Sequence, residues 1–198
     1  MNDFRLICVL LPALVAACTM LACSPRGNAS GDDAEQPIPQ PSQASKAAAA
    51  EPPQAIRDWM DRLTVDHTYD PQTGFIVARE VITLPPILTG APALDAAVAS
   101  AGTERTVIVF ATADRCAPCQ QYKKDTLNDP TVIARLSDSS LLATHVEVDR
   151  EPGLADEFLG GRAIPMTYAL RKGERIATLR GQRSPEELLA WLDGLPDA

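Results

Sequence analysis

Histidine is nearly missing from this 198-residue chain: His67 and His145 are the only two, and they stand far apart. With no second close pair of cysteines to join them, a four-ligand zinc centre lacks donors. No run of Lys and Arg occurs either. The 18 basic residues are outnumbered by 26 acidic ones, a net charge of −8. That balance leaves little to neutralise phosphates, so nucleic acid is not an expected partner. Flavin, nicotinamide and metal motifs are absent, and no bound cofactor is expected. What is present is unevenly spread. The apolar fraction of 45% is ordinary for a globular chain, and the length allows one domain, or one domain with an appendage. Seventeen prolines are crowded towards the first half, and the five cysteines fall at positions 8, 18, 23, 116 and 119.

The three early cysteines belong to an address. Arg5 precedes an apolar stretch over residues 6–15, followed by Ala16-Ala17 and Cys18, a pattern that fits an export signal. Val15-Ala16-Ala17-Cys18 resembles the lipobox of bacterial lipoproteins. The resemblance implies cleavage before Cys18 and a diacylglycerol on its thiol, with residues 1–18 as signal and anchor. Met20-Leu21-Ala22-Cys23 is the alternative acceptor, with Leu21 where a small residue is usual. The other reading is an uncleaved membrane helix over residues 6–23, at the lower edge of spanning length and containing Pro12. Either way the rest of the chain is exported and tethered to a lipid bilayer. The expected location is the bacterial cell envelope, facing the periplasm or the exterior.

Residues 24–55 hold Pro25, Pro37, Pro39, Pro41, Pro52 and Pro53 among Ala, Ser, Gln and Gly. They cannot bury enough apolar surface to offset ordering entropy and read as a disordered, extended spacer. Residues 56–90 form an N-terminal extension. Ile56, Trp59, Met60 and Leu63 recur at helical spacing. Residues 74–77 and 81–84 read as strands ending at Pro85-Pro86. Packing against the following domain is the expected role, with Trp59 also a candidate partner contact.

From residue 91 to 198 the pattern is regular. Residues 94–101 read as helix and 106–111 as a buried strand. After a turn come Cys116-Ala117-Pro118-Cys119, a helix over 120–127, and a second helix after Pro130. A strand over 141–148 follows, then a helix over 152–159 closed by Gly160-Gly161. Residues 166–170 and 175–179 form a hairpin around Lys172-Gly173. Ser184, Pro185 and Glu187 open the last helix with a capping box. The expected class is α/β, a central mixed sheet with helices on both faces.

A cysteine at the mouth of a helix meets unpaired N–H groups and the positive end of the dipole, which stabilise a thiolate. Arg115 adds a cation beside it. Lowering the Cys116 pKa from about 8.5 to about 6.5 would raise its thiolate fraction at pH 7 from about 3% to about three quarters. Cys119, one turn on, is spaced to attack a mixed disulfide formed at Cys116. Pro118 has no N–H to lose at the helix start and stiffens the loop. Strand, turn, Cys-x-x-Cys and helix is a redox arrangement, with an inert structural disulfide and half a zinc site as the alternatives.

Over about residues 92–198 the sequence resembles the thioredoxin family. The resemblance is carried by Val107-Ile108-Val109-Phe110, Cys116-Ala117-Pro118-Cys119, Val148-Asp149-Arg150-Glu151-Pro152, Ile164-Pro165, Arg171-Lys172-Gly173-Glu174 and the terminal helix. Residues 119–124 with Asn128-Asp129-Pro130 are also similar to the thioredoxin-like domain of envelope disulfide reductases. The family implies a thiol–disulfide oxidoreductase whose only redox centre is a Cys116–Cys119 disulfide. It also implies a cis peptide before Pro165, with Ile164 offering its backbone to an extended protein or peptide substrate. Electrons would pass to or from a separate membrane partner. Ala117-Pro118 resembles the Gly-Pro of reducing thioredoxins and tilts the direction towards reduction, whereas Arg115 pulls the other way. The sequence departs from the family at Arg115, where Trp is usual, and at Phe110, where a buried acid is usual. His145 replaces the buried lysine and is either a proton relay or a core histidine satisfied by a neighbour. Tyr122 reads as packing. A non-catalytic binding or assembly module on the same fold is the alternative function.

Overall fold

The computed structural model describes residues 51–196. The signal, the anchor expected at Cys18 or Cys23 and most of the 24–55 spacer lie outside the described residues.

The fold is organised by one strand with nowhere to face water. β3 (Thr106–Thr112) is buried at every position. It lies between β4 (Leu141–Glu147), which is parallel to it, and β5 (Met166–Arg171), which is antiparallel. The edge strand β6 (Glu174–Arg180) completes a four-stranded sheet ordered β4-β3-β5-β6. It returns from β5 through Lys172 and Gly173, both at positive φ, as a two-residue hairpin of this hand requires.

Alternation along β3 splits the core in two. Val107, Val109 and Ala111 pack with α3 (Leu94–Ala101) and with the helix formed by α6 (Pro152–Leu154) and its π-helical continuation Ala155–Leu159. Ile108 and Phe110 pack on the other side. There they meet α4 (Ala117–Tyr122) and its π-helical continuation Lys123–Leu127, α5 (Pro130–Leu136) and α7 (Pro185–Asp193). The parallel β3–β4 connection carries α4 and α5 across that face, as a crossover must. Local caps fix where two of these helices start. Asp129 takes the Thr131 and Val132 N–H groups at the start of α5, and Ser184 and Glu187 cap each other's backbone at the start of α7.

The extension differs from expectation in one strand. Residues 81–84 are not a strand. The partner of β2 (Phe75–Ala78) is instead β1 (His67–Asp70). Asp70 explains the reversal: its carboxylate accepts from the Gln72 N–H and the Thr73 hydroxyl, and Gly74 supplies a φ of +73°. The backbone of residues 81–84 is claimed elsewhere, since the Ile82 N–H donates to the side chain of Gln120 at 2.7 Å. Ahead of β1, α1 (Gln54–Met60) begins two residues before the helical repeat predicts. After β2, a single turn, α2 (Pro86–Thr89), brings Leu88 into the core of the α4 face.

Two glutamines fasten the extension to the domain. Gln121, buried on α4, accepts the N–H groups of Thr64 and Val65 at 2.7 and 3.1 Å. Gln120, fully buried, bonds Ile82 on one side and donates to the carbonyls of Ala113 and Asp114 on the other. Removing the Gln121 amide would strand the buried Val65 N–H, a loss of about 1–3 kcal/mol. Leu63, Val65, Ile76 and Ala117 complete this junction as a third apolar cluster.

His145 lies opposite Phe110 in the β3–β4 register, with its Nε2 2.7 Å from the Thr112 hydroxyl. Burial, followed by the nearby Lys123 cation, holds its pKa down at about 4. It is therefore a neutral core histidine satisfied by a neighbour. The unfolded chain protonates it near pH 6.5, so between pH 6.5 and 4 the unfolded state binds more protons and stability falls as pH falls. Replacing His145→Gln removes that titration. Across this window the stability loss is expected to shrink by on the order of 2 kcal/mol. Urea midpoints at a series of pH values check this, and equal pH slopes in the two proteins would reject it.

Candidate active site

The site is built where β3 stops. Ala113, fully buried, turns the chain inwards, and Asp114 is pinned by the ammonium of Lys123 at 3.3 Å and by the guanidinium of Arg150. Cys116 then serves as N-cap of α4. Its carbonyl accepts from the N–H groups of Cys119 and Gln120, both at 3.0 Å. The Cys119 N–H also reaches the Cys116 Sγ at 3.2 Å. Pro118, buried in the first turn, has no N–H to contribute, so this amide is the donor that meets the sulfur. Cys116 and Cys119 form a disulfide, with Cα atoms 5.1 Å apart. The two sulfurs are unequal: Cys116 is half-buried, whereas Cys119 has no exposed surface.

Cys116 opens onto a cavity of about 430 Å³ shared with Arg115, Pro118 and Ile164. The Ile164–Pro165 peptide is cis. Arg115, Cys116, Pro118 and Ile164 line one cavity, while Pro165 and the fully buried Cys119 are not among its lining residues. Arg115 requires a revision. Its guanidinium forms a two-pronged bond with Asp149, Nε to Oδ2 at 2.6 Å and Nη2 to Oδ1 at 3.1 Å. It also lies 5.6 Å from the centroid of the Phe75 ring. A cation already matched by a carboxylate imposes much less field on the adjacent sulfur than a free one. The same pairing holds the Asp149 carboxyl below its ordinary range.

Beneath the pair, Phe110 is fully buried and meets Tyr122 edge to face, ring centroids 6.3 Å apart. Tyr122 is a packing residue: its hydroxyl is 3.0 Å from that of Thr167, and burial pushes its pKa up to about 12. The polar residues lie further along the sheet. Glu147 pairs with Thr112 in register. Its carboxyl is pushed up by burial and then by the charge of Asp114, and its Oε2 has no hydrogen-bond partner among the described residues. Lys123, with only 2% of its side chain exposed, lies between these groups as the counter-charge of Asp114. Among the described residues no group of three or more His, Cys, Asp or Glu side chains could hold a metal ion.

Sequence reasoning missed the wall of the cavity. Phe75, Arg162 and Arg180 line it along with Trp59, and β2 bridges directly to the site through Val77 and Cys116. The Ala78 N–H donates to the Arg115 carbonyl at 2.9 Å. A signal was available in Gln120-Gln121, two polar residues directly after the motif on what had to be the inward face of a helix.

The family model described as a thioredoxin-like domain matches residues 93–195. Similar solved structures include a thioredoxin from Thermus thermophilus, 28% identical, covering 52% of this chain and 82% of that one with a TM-score of 0.45. Another is a thioredoxin from Malassezia sympodialis, 25% identical over 50% of this chain and 85% of that one, with a TM-score of 0.40. A third is the oxidised thioredoxin from Plasmodium falciparum, 17% identical over 51% and 90%, with a TM-score of 0.41. No curated protein matches the sequence. With the family match spanning more than half of its length and the Cys-x-x-Cys pair closed as a disulfide inside it, the chain belongs to the thioredoxin-like domain family, whose members act on protein thiols and disulfides through a redox-active disulfide, and is a thiol–disulfide oxidoreductase.

Proposed function

We propose that the chain is an exported, lipid-anchored reductant of protein disulfides in the bacterial cell envelope, with Cys116 as the attacking and Cys119 as the resolving cysteine. The observation that carries the assignment is the asymmetry of the pair. Cys116 is reachable and receives a helix N-terminal N–H, whereas Cys119 is fully buried. In the reduced protein the Cys116 thiolate attacks one sulfur of a substrate disulfide, forming a mixed disulfide and releasing the other substrate sulfur as a thiolate. Cys119, having lost its proton, attacks Cys116. The second substrate sulfur leaves as a thiolate and takes up a proton, and the two electrons remain with the substrate. Ile164 and Pro165 border the path of an extended substrate segment.

The direction is supported by Ala117-Pro118 and by the Arg115–Asp149 pair, since a matched arginine does less to favour the thiolate over the disulfide than a bare one. A separate membrane partner returns two electrons to the oxidised pair. The Arg5-to-Cys18 pattern and the proline-rich residues 24–55 support the tether and its reach, with Cys18 as the acylated residue and Cys23 as the alternative. The organisation proposed is 1–18 signal and anchor, 24–55 spacer, 56–90 extension and 91–198 thioredoxin-like domain.

Three measurements test this reading. A Cys119→Ala variant expressed in the native host is expected to accumulate covalent adducts through Cys116 that dithiothreitol releases. A clean lack of adducts would favour the binding-module alternative. The reduction potential against a glutathione series is expected nearer the about −270 mV of thioredoxin, and a value near about −120 mV would end the reductant assignment. Palmitate labelling is expected in the wild type and in Cys23→Ala but not in Cys18→Ala. An unlabelled wild type would reject the anchor.

A further inference from the structure

The cavity beside Cys116 has a composition at odds with the chain that surrounds it. The protein carries 26 acidic residues and a net charge of −8. Yet the cavity lining includes Arg115, Arg162 and Arg180 and not one carboxylate. Arg115 and Arg162 are about half exposed and turn their guanidinium groups to Asp149 and Asp156, neither of which lines the cavity. Arg180 is exposed and has no ion-pair partner among the described residues. It stands opposite Met166, directly after the cis Ile164–Pro165 segment, so its free charge borders the route to the disulfide.

The facing wall is aromatic and comes from the extension. The large apolar side chains exposed among the described residues are Trp59, Phe75 and Val81, at 37%, 55% and 63%. The two aromatic ones line this cavity. Phe75 is placed by β2, which is joined to the active-site turn by the Val77–Cys116 bridge and the Ala78-to-Arg115 hydrogen bond, and Arg115 lies over its ring. Trp59 is carried by α1, which packs through Ile56 and Met60 on the Leu63, Val65, Ile76 and Ala117 cluster. Exposed aromatic surface beside a reactive centre, bordered by one arginine without an ion-pair partner among the described residues and two that are paired outside the cavity, fits a partner that brings both apolar area and negative charge.

Resting on the oxidoreductase reading above, we propose that the extension and its arginine rim make the enzyme selective. The preferred partner of Cys116 is an extended protein segment whose reacting cysteine is flanked by an aromatic or aliphatic side chain and, within two residues, by Asp or Glu. The apolar side chain rests on Trp59 and Phe75, and the carboxylate meets Arg180.

The test uses the reduced full chain in detergent and short peptides carrying one cysteine as its mixed disulfide with 2-mercaptoethanol, a neutral leaving group. Three peptides suffice: one with Phe beside the cysteine and Glu two residues away, one with Lys for the Glu, and one with Ser for the Phe. At low salt the Glu peptide is expected to react about tenfold faster than the Lys peptide, with the gap closing as ionic strength rises. Arg180→Glu is expected to bring that ratio to about one or below it. Phe75→Ala is expected to erase the preference of Phe over Ser while leaving that of Glu over Lys. Equal wild-type rates for all three peptides overturn the proposal whatever the variants do, as would a cavity filled by the chain's own residues 1–50, which makes rates blind to peptide side chains. Ratios that survive both substitutions overturn it too. Failure to react with any peptide has a different meaning, because it removes the oxidoreductase reading itself.

Discussion

The contact on which the site depends is a single backbone amide pointed at a sulfur. A helix beginning at Ala117 leaves its first N–H groups without the usual i−4 carbonyl partners, Pro118 removes one of them by chemistry, and the Cys119 N–H is shared between the Cys116 carbonyl at 3.0 Å and the Cys116 Sγ at 3.2 Å. The Cys119 N–H is thereby directed at the Cys116 Sγ. For that amide to face that sulfur, the chain must leave the sheet, turn within three residues and enter a helix on a fixed axis. β3 supplies the fixed origin, because a strand buried at all seven positions cannot slip without moving its whole apolar set. The turn is held by Asp114 against Lys123 and Arg150, so the polar cluster behind the helix positions the helix as much as it charges the site.

The extension makes that arrangement less generic. Gln120 and Gln121 lie on the helix that carries the reactive pair, and both are spent on the backbone of the extension. Two adjacent buried amide side chains on the motif helix need hydrogen-bond partners in two directions. Residues 64, 65 and 82 supply the N–H donors. The extension therefore belongs to the same packed unit as the redox turn, and its β2 strand forms a side of the cavity beside Cys116.

Much of this was legible in the sequence, and what was not has a common cause. The β3 run, the Lys172-Gly173 hairpin and the Ser184–Glu187 capping box were readable because each is set by contacts within a few residues. The Cys-x-x-Cys pair at a helix mouth was readable for the same reason. Residues 81–84 looked like a strand because Val81-Ile82-Thr83-Leu84 has the composition of one. Their backbone, however, was taken by Gln120, 38 positions away in sequence. His67–Asp70 gave little strand signal and became one because Asp70 and Gly74 close a turn that brings it against β2. Arg115 looked like a free cation beside the thiol because Asp149, its partner, is 34 residues on. The aromatic wall and the arginine rim were invisible for that reason too: they are assembled from β2, the cis-proline loop and the end of β6, and no local window contains all three.

The position of the family's buried acid shows how the rest accommodates a departure. Phe110 fills that position with a ring packed on Tyr122 and flanked in register by His145 and Thr167. The adjacent histidine cannot take its place as a proton carrier near neutrality, because burial and Lys123 keep it uncharged down to about pH 4. The ionisable groups beside it, Asp114, Lys123 and Glu147, interact with one another. Glu147 is the member whose carboxyl burial pushes upward, and its Oε2 has no hydrogen-bond partner among the described residues. In a chain of net charge −8, a cavity lined by three arginines and no carboxylate stands beside Cys116, so the charge at that entrance is opposite in sign to that of the chain as a whole.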